Sequence, residues 1–268
     1  MNQYNPIVSI CIPTFNHAHF LSDAINSALA QTYNDFELII VDNCSTDNTP
    51  DLVQAYAAKN KRIRYVRNQT NVGAQNNLNR CIELATRTFI NILCADDLLE
   101  PTALEKLVQA YEDHPKTTLA ACARRAVDEN LLPFETLFFS HKGETLRGFD
   151  VISKCLVYGN LIGEPSAVLF RKKDAERGFD MRYRQLIDLE MWFYLLEKGD
   201  FAYIPSPLCK VRKHPGQGSL FHLVSFTVIE DEFLLYNEFG HKPYVHVSMF
   251  GRMRAKYRAM IRVWNLSY

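Results

Sequence analysis

Residues 8–41 read VSICIPTFNHAHFLSDAINSALAQTYNDFELIIV. The run from Val8 to Pro13 is short and largely apolar and stops on a proline, which predicts a buried strand. Over 17–31 the period changes, with Phe20, Leu21, Ala24, Ile25, Ala28 and Leu29 on one helical stripe. Residues 36–41 (FELIIV) return to a strand. Strand, amphipathic helix and strand in so short a span form a β-α-β unit, whose two strands lie parallel.

The alternation continues outward. A helix over 51–59 has its start marked by Thr49-Pro50, and a strand over 63–66 precedes a helix over 74–85. A strand over 89–94 leads to a helix over 102–111. Four such repeats predict an α/β fold with a Rossmann-like, mostly parallel central sheet flanked by helices. Beyond Thr117 the pattern loosens into a strand over 118–123 and an irregular, aromatic-rich connection over 128–148. A helix over 149–158, a strand over 167–171, a helix over 186–198 and a strand over 201–211 follow. From Leu223 the pattern is helical to the end. The division this suggests is a catalytic domain over 1–220, in halves of about 1–115 and 116–220, and a helical extension over 221–268.

Lysine plus arginine equals aspartate plus glutamate at 30 each, so the chain lacks the basic excess of a general nucleic-acid binder. Seven scattered cysteines without C-x-x-C or zinc spacing read as small buried hydrophobes in a reducing compartment. No signal peptide opens the sequence and no run is long and apolar enough to span a bilayer. These features predict a cytoplasmic protein.

In a parallel sheet, ligands gather at the carboxyl ends of the strands. Here those ends carry Thr14-Phe15-Asn16, the polar run 42–49, the run 68–71 and Asp96-Asp97. The acid pair is the sharpest signal, because FINILCADDLLEP (89–101) drives an apolar run into two like charges. Two adjacent carboxylates repel and are costly to bury without a counter-charge. On its own the pair reads either as a helix cap or as a cation seat.

The ordered set VSICIPTFN, ALAQTYNDFELIIVDNCSTDNT, NVGAQNNLN, FINILCADDLLEP, GEPSAVLFRK, LIDLEMWFYLL and VRKHPGQGS resembles the family-2 glycosyltransferases, inverting enzymes of the GT-A fold. The resemblance spans about four fifths of the chain. It implies a nucleotide-diphospho-sugar donor, with a UDP-sugar favoured over dTDP- or GDP-sugars. It also implies a glycan or lipid-linked glycan acceptor and a role in surface polysaccharide or glycolipid synthesis. Pro13, Thr14, Phe15 and Asn16 would meet the base, Phe15 by its ring face, although a lone Phe also suits a core. Asp42, Asn43, Ser45, Asn71 and Gly73 would complete the donor side. Many relatives carry a second acid at the position of Asn43, whose amide can both donate and accept. Ser45-Thr46-Asp47 equally reads as a turn and helix cap.

The family's DXD metal motif falls on Ala95-Asp96-Asp97, making Asp97 the ligand of Mg²⁺ or Mn²⁺ and Asp96 a contact to ribose or sugar. Asp188 matches the base position, with Glu190 its competitor and helix capping the plain alternative. Glu164, Ser166 and Glu190 would line the acceptor side. In VRKHPGQGS (211–219), two glycines and a proline predict a mobile lid. Arg212 or Lys213 would approach the diphosphate and His214 would help hold metal or phosphate, although a loop histidine is commonly just exposed. The basic stretch 251–268, with Arg252, Arg254, Lys256, Arg258 and Arg262, predicts an amphipathic helix. Such a helix would dock on the catalytic domain or make peripheral contact with the inner face of the membrane. Two rival functions are a non-catalytic nucleotide-sugar-binding module and a sugar nucleotidyltransferase. The nucleotidyltransferase would need a glycine-rich loop after the first strand, where Thr14-Phe15-Asn16-His17 stands instead.

Overall fold

The computed structural model describes residues 8–215, 226–248 and 251. Strands β1 (Val8–Thr14), β2 (Phe36–Asp42), β3 (Ile63–Arg67) and β4 (Phe89–Ile92) alternate with helices α1 (Ala18–Leu29), α2 (Thr49–Lys59) and α3 (Ala74–Leu84). A two-residue strand β5 (Leu98–Leu99), helix α4 (Ala103–Asp113) and the long strand β6 (Thr117–Val127) follow. The connection expected to be irregular over 128–148 contains two strands, β7 (Pro133–Leu137) and β8 (Glu144–Arg147). Strand β7 is an edge strand with little burial on either face, so its sequence shows no alternation, and β8 alternates over only four residues, too few to stand out. Then come α5 (Gly148–Tyr158), a 3-10 turn at Pro165–Ala167, β9 (Val168–Arg171), α6 (Ile187–Leu196), β10 (Asp200–Arg212) and α7 (Phe226–Phe239).

The main sheet runs β3-β2-β1-β4-β9-β6-β10-β5, with β7 beside β6 and β8 beside β10. Strands β1 to β4 are mutually parallel, and β6 and β10 are parallel to each other. Between the two blocks β9 runs antiparallel to both β4 and β6. All the parallel strands therefore end at one edge, while β9 begins there.

Alternation along the strands builds the three layers. Ile10, Ile12, Leu38 and Ile40 face a core shared with Leu21 and Ile25 of α1 and Leu104 and Leu107 of α4. Cys11, Ile39 and Val41 face the opposite core, with Leu78 and Ile82 of α3, Ile152 of α5 and Trp192 and Phe193 of α6. Leu235 and Phe239 of α7 belong to that second core, and the Phe193 and Phe239 rings meet edge to face at 5.2 Å. Helix α7 does not continue to the chain end, because Gly240 follows its last residue and Pro243 comes soon after. Residues 252–268, which hold the basic charges of the predicted amphipathic helix, and 216–219 of the predicted lid lie outside the described residues. Among the described residues no helix is long and apolar enough to cross a membrane.

Candidate active site

The acid pair sits where β4 ends, at the edge that collects the carboxyl ends of the parallel strands. Both acids are buried, Asp97 with 2% exposure and Asp96 with 8%. Asp97 Oδ2 accepts from the Ser166 hydroxyl at 2.5 Å, and Oδ1 accepts from the Arg212 backbone amide at 3.0 Å. Ser166 accepts in turn from the Cys94 amide at 3.0 Å. Asn91, buried in β4, donates to the carbonyls of Ser166 at 3.2 Å and Val168 at 2.8 Å, pinning the turn that carries the serine. The reversed strand β9 brings Ser166 here, since its amino end lies at the active edge.

Both hydrogen-bond donors to Asp97 are neutral. Burial, and after it the charge of Asp96, pushes the Asp97 carboxyl well above the ordinary carboxylate range. The Cys94 thiol is raised in the same way, by burial and then by Asp97 and Asp96. Ligand atoms of Cys94, Asp96 and Asp97 lie within 4.8 Å of one another. Two hard carboxylates under-supplied with positive charge fit Mg²⁺ or Mn²⁺, whereas the protonated thiol does not add to such a set.

His214 completes the pair from the other side, its Nε2 lying 3.1 Å from Asp96 Oδ2 and its ring 4.7 Å from Phe20. It is 5% exposed and so is no idle loop histidine. Next to it lies His17, which the sequence reading passed over. Its pKa is lowered by burial, with His19 and His214 adding to the effect and Asp96 and Asp47 opposing it. Arg212 faces inward, contrary to the expectation that it approach the diphosphate. Its guanidinium donates to the carbonyls of Asp96 and Glu129, each at 3.1 Å, pairs with Asp23 at 2.6 Å and stacks 4.3 Å over Phe20. At 2% exposure it fastens the end of β10 to the acid pair. Lys213 is the half-exposed member of the two and pairs with Glu164 at 3.3 Å.

Glu164 also pairs with the buried Arg124 at 2.8 Å. Burial works to raise its pKa, but Arg124 and Lys213 outweigh that and hold it below the usual value. Arg124 was legible as a charge inside the apolar strand LAACARRAV, although its partners were not. Its Nη1 donates to Ile162 O at 2.7 Å, beneath Gly163. Gly163 has φ +110, and a Cβ there would come within 2.2 Å of that guanidinium.

Asp188 opens α6. Its Oδ2 accepts from Asn160 Nδ2 at 2.9 Å and its Oδ1 from the Leu189 amide at 2.7 Å. Burial raises its pKa to about 7, the Leu189 amide pulls the other way, and Glu164 raises it further. Glu164 thus acts on both Asp97 and Asp188. The competitor Glu190 is elsewhere. It is fully buried and held bidentate by Arg177 at 2.7 and 2.6 Å, and two residues along a helix from Asp188 it points to a different face.

On the donor side, Asp42 is fully buried and accepts from the Ser45 amide at 2.8 Å and the Tyr65 hydroxyl at 2.7 Å, with Arg67 at 3.4 Å. Asn43, 3% exposed, spends its whole amide on the neighbouring loop. It donates to Asn71 Oδ1 at 2.8 Å and Gly73 O at 3.3 Å, and it accepts from Val72 N at 2.9 Å and Asn68 at 3.1 Å. Gly73, at φ +86, sits just ahead of α3 in a backbone conformation that side chains resist. Asn16, at φ +55, accepts from Thr46 N at 2.8 Å, and its own amide donates to Ser45 Oγ at 2.9 Å. Asp47 caps α1 from this loop, accepting from Ala18 N at 3.0 Å, so the run 45–47 is both turn and cap. Pro13 is half-buried and Thr14 buried, while the Phe15 ring is 39% exposed above this cradle. Phe15 is therefore a surface aromatic and not a core one.

The edge thus gathers an acid pair, an anchored basic strand end and a half-buried carboxylate. The profile of glycosyl transferase family 2 matches residues 9–179, and the chain belongs to that family. It is a glycosyltransferase of the GT-A fold. It is 30% identical over 209 residues to TuaG of Bacillus subtilis (strain 168), covering 76% of this chain and 77% of that one; the name of TuaG places it, provisionally, as a glycosyltransferase of teichuronic acid biosynthesis. Among solved structures, S. aureus TarS 1-349 in complex with UDP-GlcNAc superposes with a TM-score of 0.70 at 19% identity, over 87% of this chain and 65% of that one. The mannosyltransferase PcManGT of Pyrobaculum calidifontis, in complex with GDP-Man and Mn²⁺, gives a TM-score of 0.67 at 18% identity, over 99% of this chain and 73% of that one. The chain thus spans about two thirds of the solved TarS fragment.

Proposed function

We propose that the chain transfers a sugar from a nucleotide-diphospho-sugar to an acceptor hydroxyl by single displacement with inversion. The observation that carries this reading is Asp188, a carboxylate whose pKa burial lifts to about 7 while Asn160 holds its orientation. A base with that pKa is half ionised near neutrality and strong enough to take a proton from a hydroxyl in the transition state. Asp97 and Asp96 would hold Mg²⁺ or Mn²⁺, which when bound supplies positive charge to the diphosphate leaving group. Lys213 stands at the same edge and can add charge there, while Glu164 and Ser166 tie the acceptor side to the acid pair. Phe15 offers the exposed ring face on which a base can stack, and Asn16, Asn71 and Gly73 would complete the donor side.

Asp42 and Asn43 shape the donor cradle from beneath, their polar atoms turned to the protein. A UDP-sugar is the favoured donor, with dTDP- and GDP-sugars next. The acceptor is a glycan or lipid-linked glycan of surface polysaccharide synthesis, in line with the naming of TuaG. The reading places the reaction in the cytoplasm, at the membrane's inner face if residues 252–268 contact lipid.

The test is a panel of nucleotide-sugars with Mn²⁺ or Mg²⁺, read by thermal shift and by nucleotide release. Metal-dependent stabilisation and slow release by at least one donor are expected. Binding without release, unchanged by Asp188→Asn, would instead indicate a binding module. No response to any nucleotide-sugar would remove the reading.

A further inference from the structure

Helix α7 grips the segment that leads into the helix bearing Asp188. One oxygen of Asp231, Oδ2, accepts from three consecutive backbone amides: Arg184 at 2.9 Å, Gln185 at 2.6 Å and Leu186 at 2.9 Å. Asp231 is 4% exposed. Two turns along the same face, Glu238 Oε2 accepts from Arg182 Nη2 at 2.9 Å and from the Tyr183 hydroxyl at 3.2 Å. The far side of the segment is latched by α3. Gln75 donates to Tyr183 O at 3.1 Å, and Asn79 bonds both the amide and the carbonyl of Phe179, at 2.6 and 3.0 Å.

Helix α6 has no side-chain cap of its own at Leu186. The leading amides of a helix have no intrahelical acceptor, and its amino end carries partial positive charge. The three amides that Asp231 satisfies lie just ahead of the first turn, so it pins Leu186, the residue from which the helix starts, and sets a buried carboxylate near the helix's positive end. Asp188 is the second residue of that turn, so whatever fixes the turn fixes the carboxylate. Asn160 and the Leu189 amide, one on each carboxylate oxygen, then set its rotation.

We infer that Asp231 is a positioning residue for sugar transfer, holding Asp188 in place from the C-terminal extension. The inference rests on Asp188 being the base. On this view α7 is a working part of the active site although it contributes no group that touches substrate. A misplacement of about 1 Å is enough to cost roughly 100-fold in rate.

The experiment compares the full chain with Asp231→Ala, Asp231→Asn and Asp188→Asn. UDP-N-acetylglucosamine and GDP-mannose with Mn²⁺ are the probes, nucleotide release is the rate, and backbone amide exchange over 184–190 is measured in parallel. Expected is a kcat loss of about 10–100-fold in Asp231→Ala, with donor KM within about twofold of wild type. Asp231→Asn keeps an acceptor oxygen and should recover most of the rate. Exchange should accelerate through the first turn of α6 and stay unchanged in β1 to β4. A shorter acceptor, Asp231→Ser, carries the test if the alanine variant does not fold. Wild-type kcat in Asp231→Ala beside an inactive Asp188→Asn overturns the inference and leaves the base assignment standing. Full activity of Asp188→Asn removes the base assignment and the inference with it. If neither probe is turned over, unchanged protection over 184–190 in Asp231→Ala overturns it.

Discussion

Ser166 donates to Asp97 at 2.5 Å, joining the turn before β9 to the end of β4 across 69 residues of sequence. The bond ties an acceptor-side residue directly to the proposed metal ligand. Asp97→Ala is expected to abolish Mn²⁺-dependent donor binding. Ser166→Ala should weaken it by about 10–100-fold, as loss of a residue that orients a metal ligand does. Titration calorimetry with Mn²⁺ and a nucleotide-sugar checks both, and wild-type affinity in Asp97→Ala would end its assignment as ligand.

Asp188→Asn should bind donor normally yet transfer roughly 10²–10⁴-fold more slowly. In the wild-type chain the acid limb of kcat should fall near pH 7, because Asp188 must be ionised to accept a proton and its pKa is raised to about 7. The linkage sign runs the other way for stability. Native Asp188 holds its proton above the pH at which unfolded Asp loses it, so its contribution favours folding at low pH. That contribution declines as pH rises from the ordinary carboxylate value of about 4 toward 7. A pH–rate profile with its lower limb at pH 4–5 would contradict the assignment.

Asn160→Ala removes a donor that favours the ionised form of Asp188. The acid limb should therefore move to higher pH, and kcat above the limb should fall as the carboxylate loses its orientation. An unchanged limb would show that Asn160 orients Asp188 without tuning its pKa.

Glu190 and Arg177 form a bidentate pair with one fully buried partner. Arg177→Ala leaves that carboxylate unpaired, and we expect a stability loss of about 1–3 kcal/mol, below the figure for fully buried pairs because the arginine is 32% exposed. Urea unfolding measures it. Transfer at a temperature well below unfolding should be retained if Asp188, and not Glu190, is the base.

Asn43→Asp introduces the acid that the family resemblance leads one to expect at this position but should not help here. An aspartate cannot donate to Asn71 Oδ1 or Gly73 O, and it would set a charge against both acceptors. We expect a loss of about 1–3 kcal/mol and weaker donor binding, read by urea unfolding and by donor titration.

Much of this was legible in the chain. The period change from VSICIP to the Phe20–Leu29 stripe and back to FELIIV is enough to predict parallel strands, because burial on two faces leaves its own pattern. The same reading put Asp96-Asp97 at a strand end, and ordered motifs pointed to the family. The edge strand β7 was not legible, since its burial does not alternate, and β8 was not because its alternation covers only four residues. The reversal of β9 was not legible either, because a four-residue apolar run carries no sign of direction.

Local sequence, then, determined the elements, the active edge and the acid pair, since each depends on neighbours within a few residues. Which polar groups are free was decided only by tertiary structure. Arg212 and Glu190 carry charges that read as available, yet both are consumed by partners, Arg212 by Asp23 across 189 residues and Glu190 by Arg177 across 13. Asp188 in α6, Asn160 just past the end of α5 and Asp231 in α7 come to one region because the three helices share one core. Burial and partner choice depend on the whole packed chain, so the pKa of Asp188, and with it the chemistry, belongs to the fold.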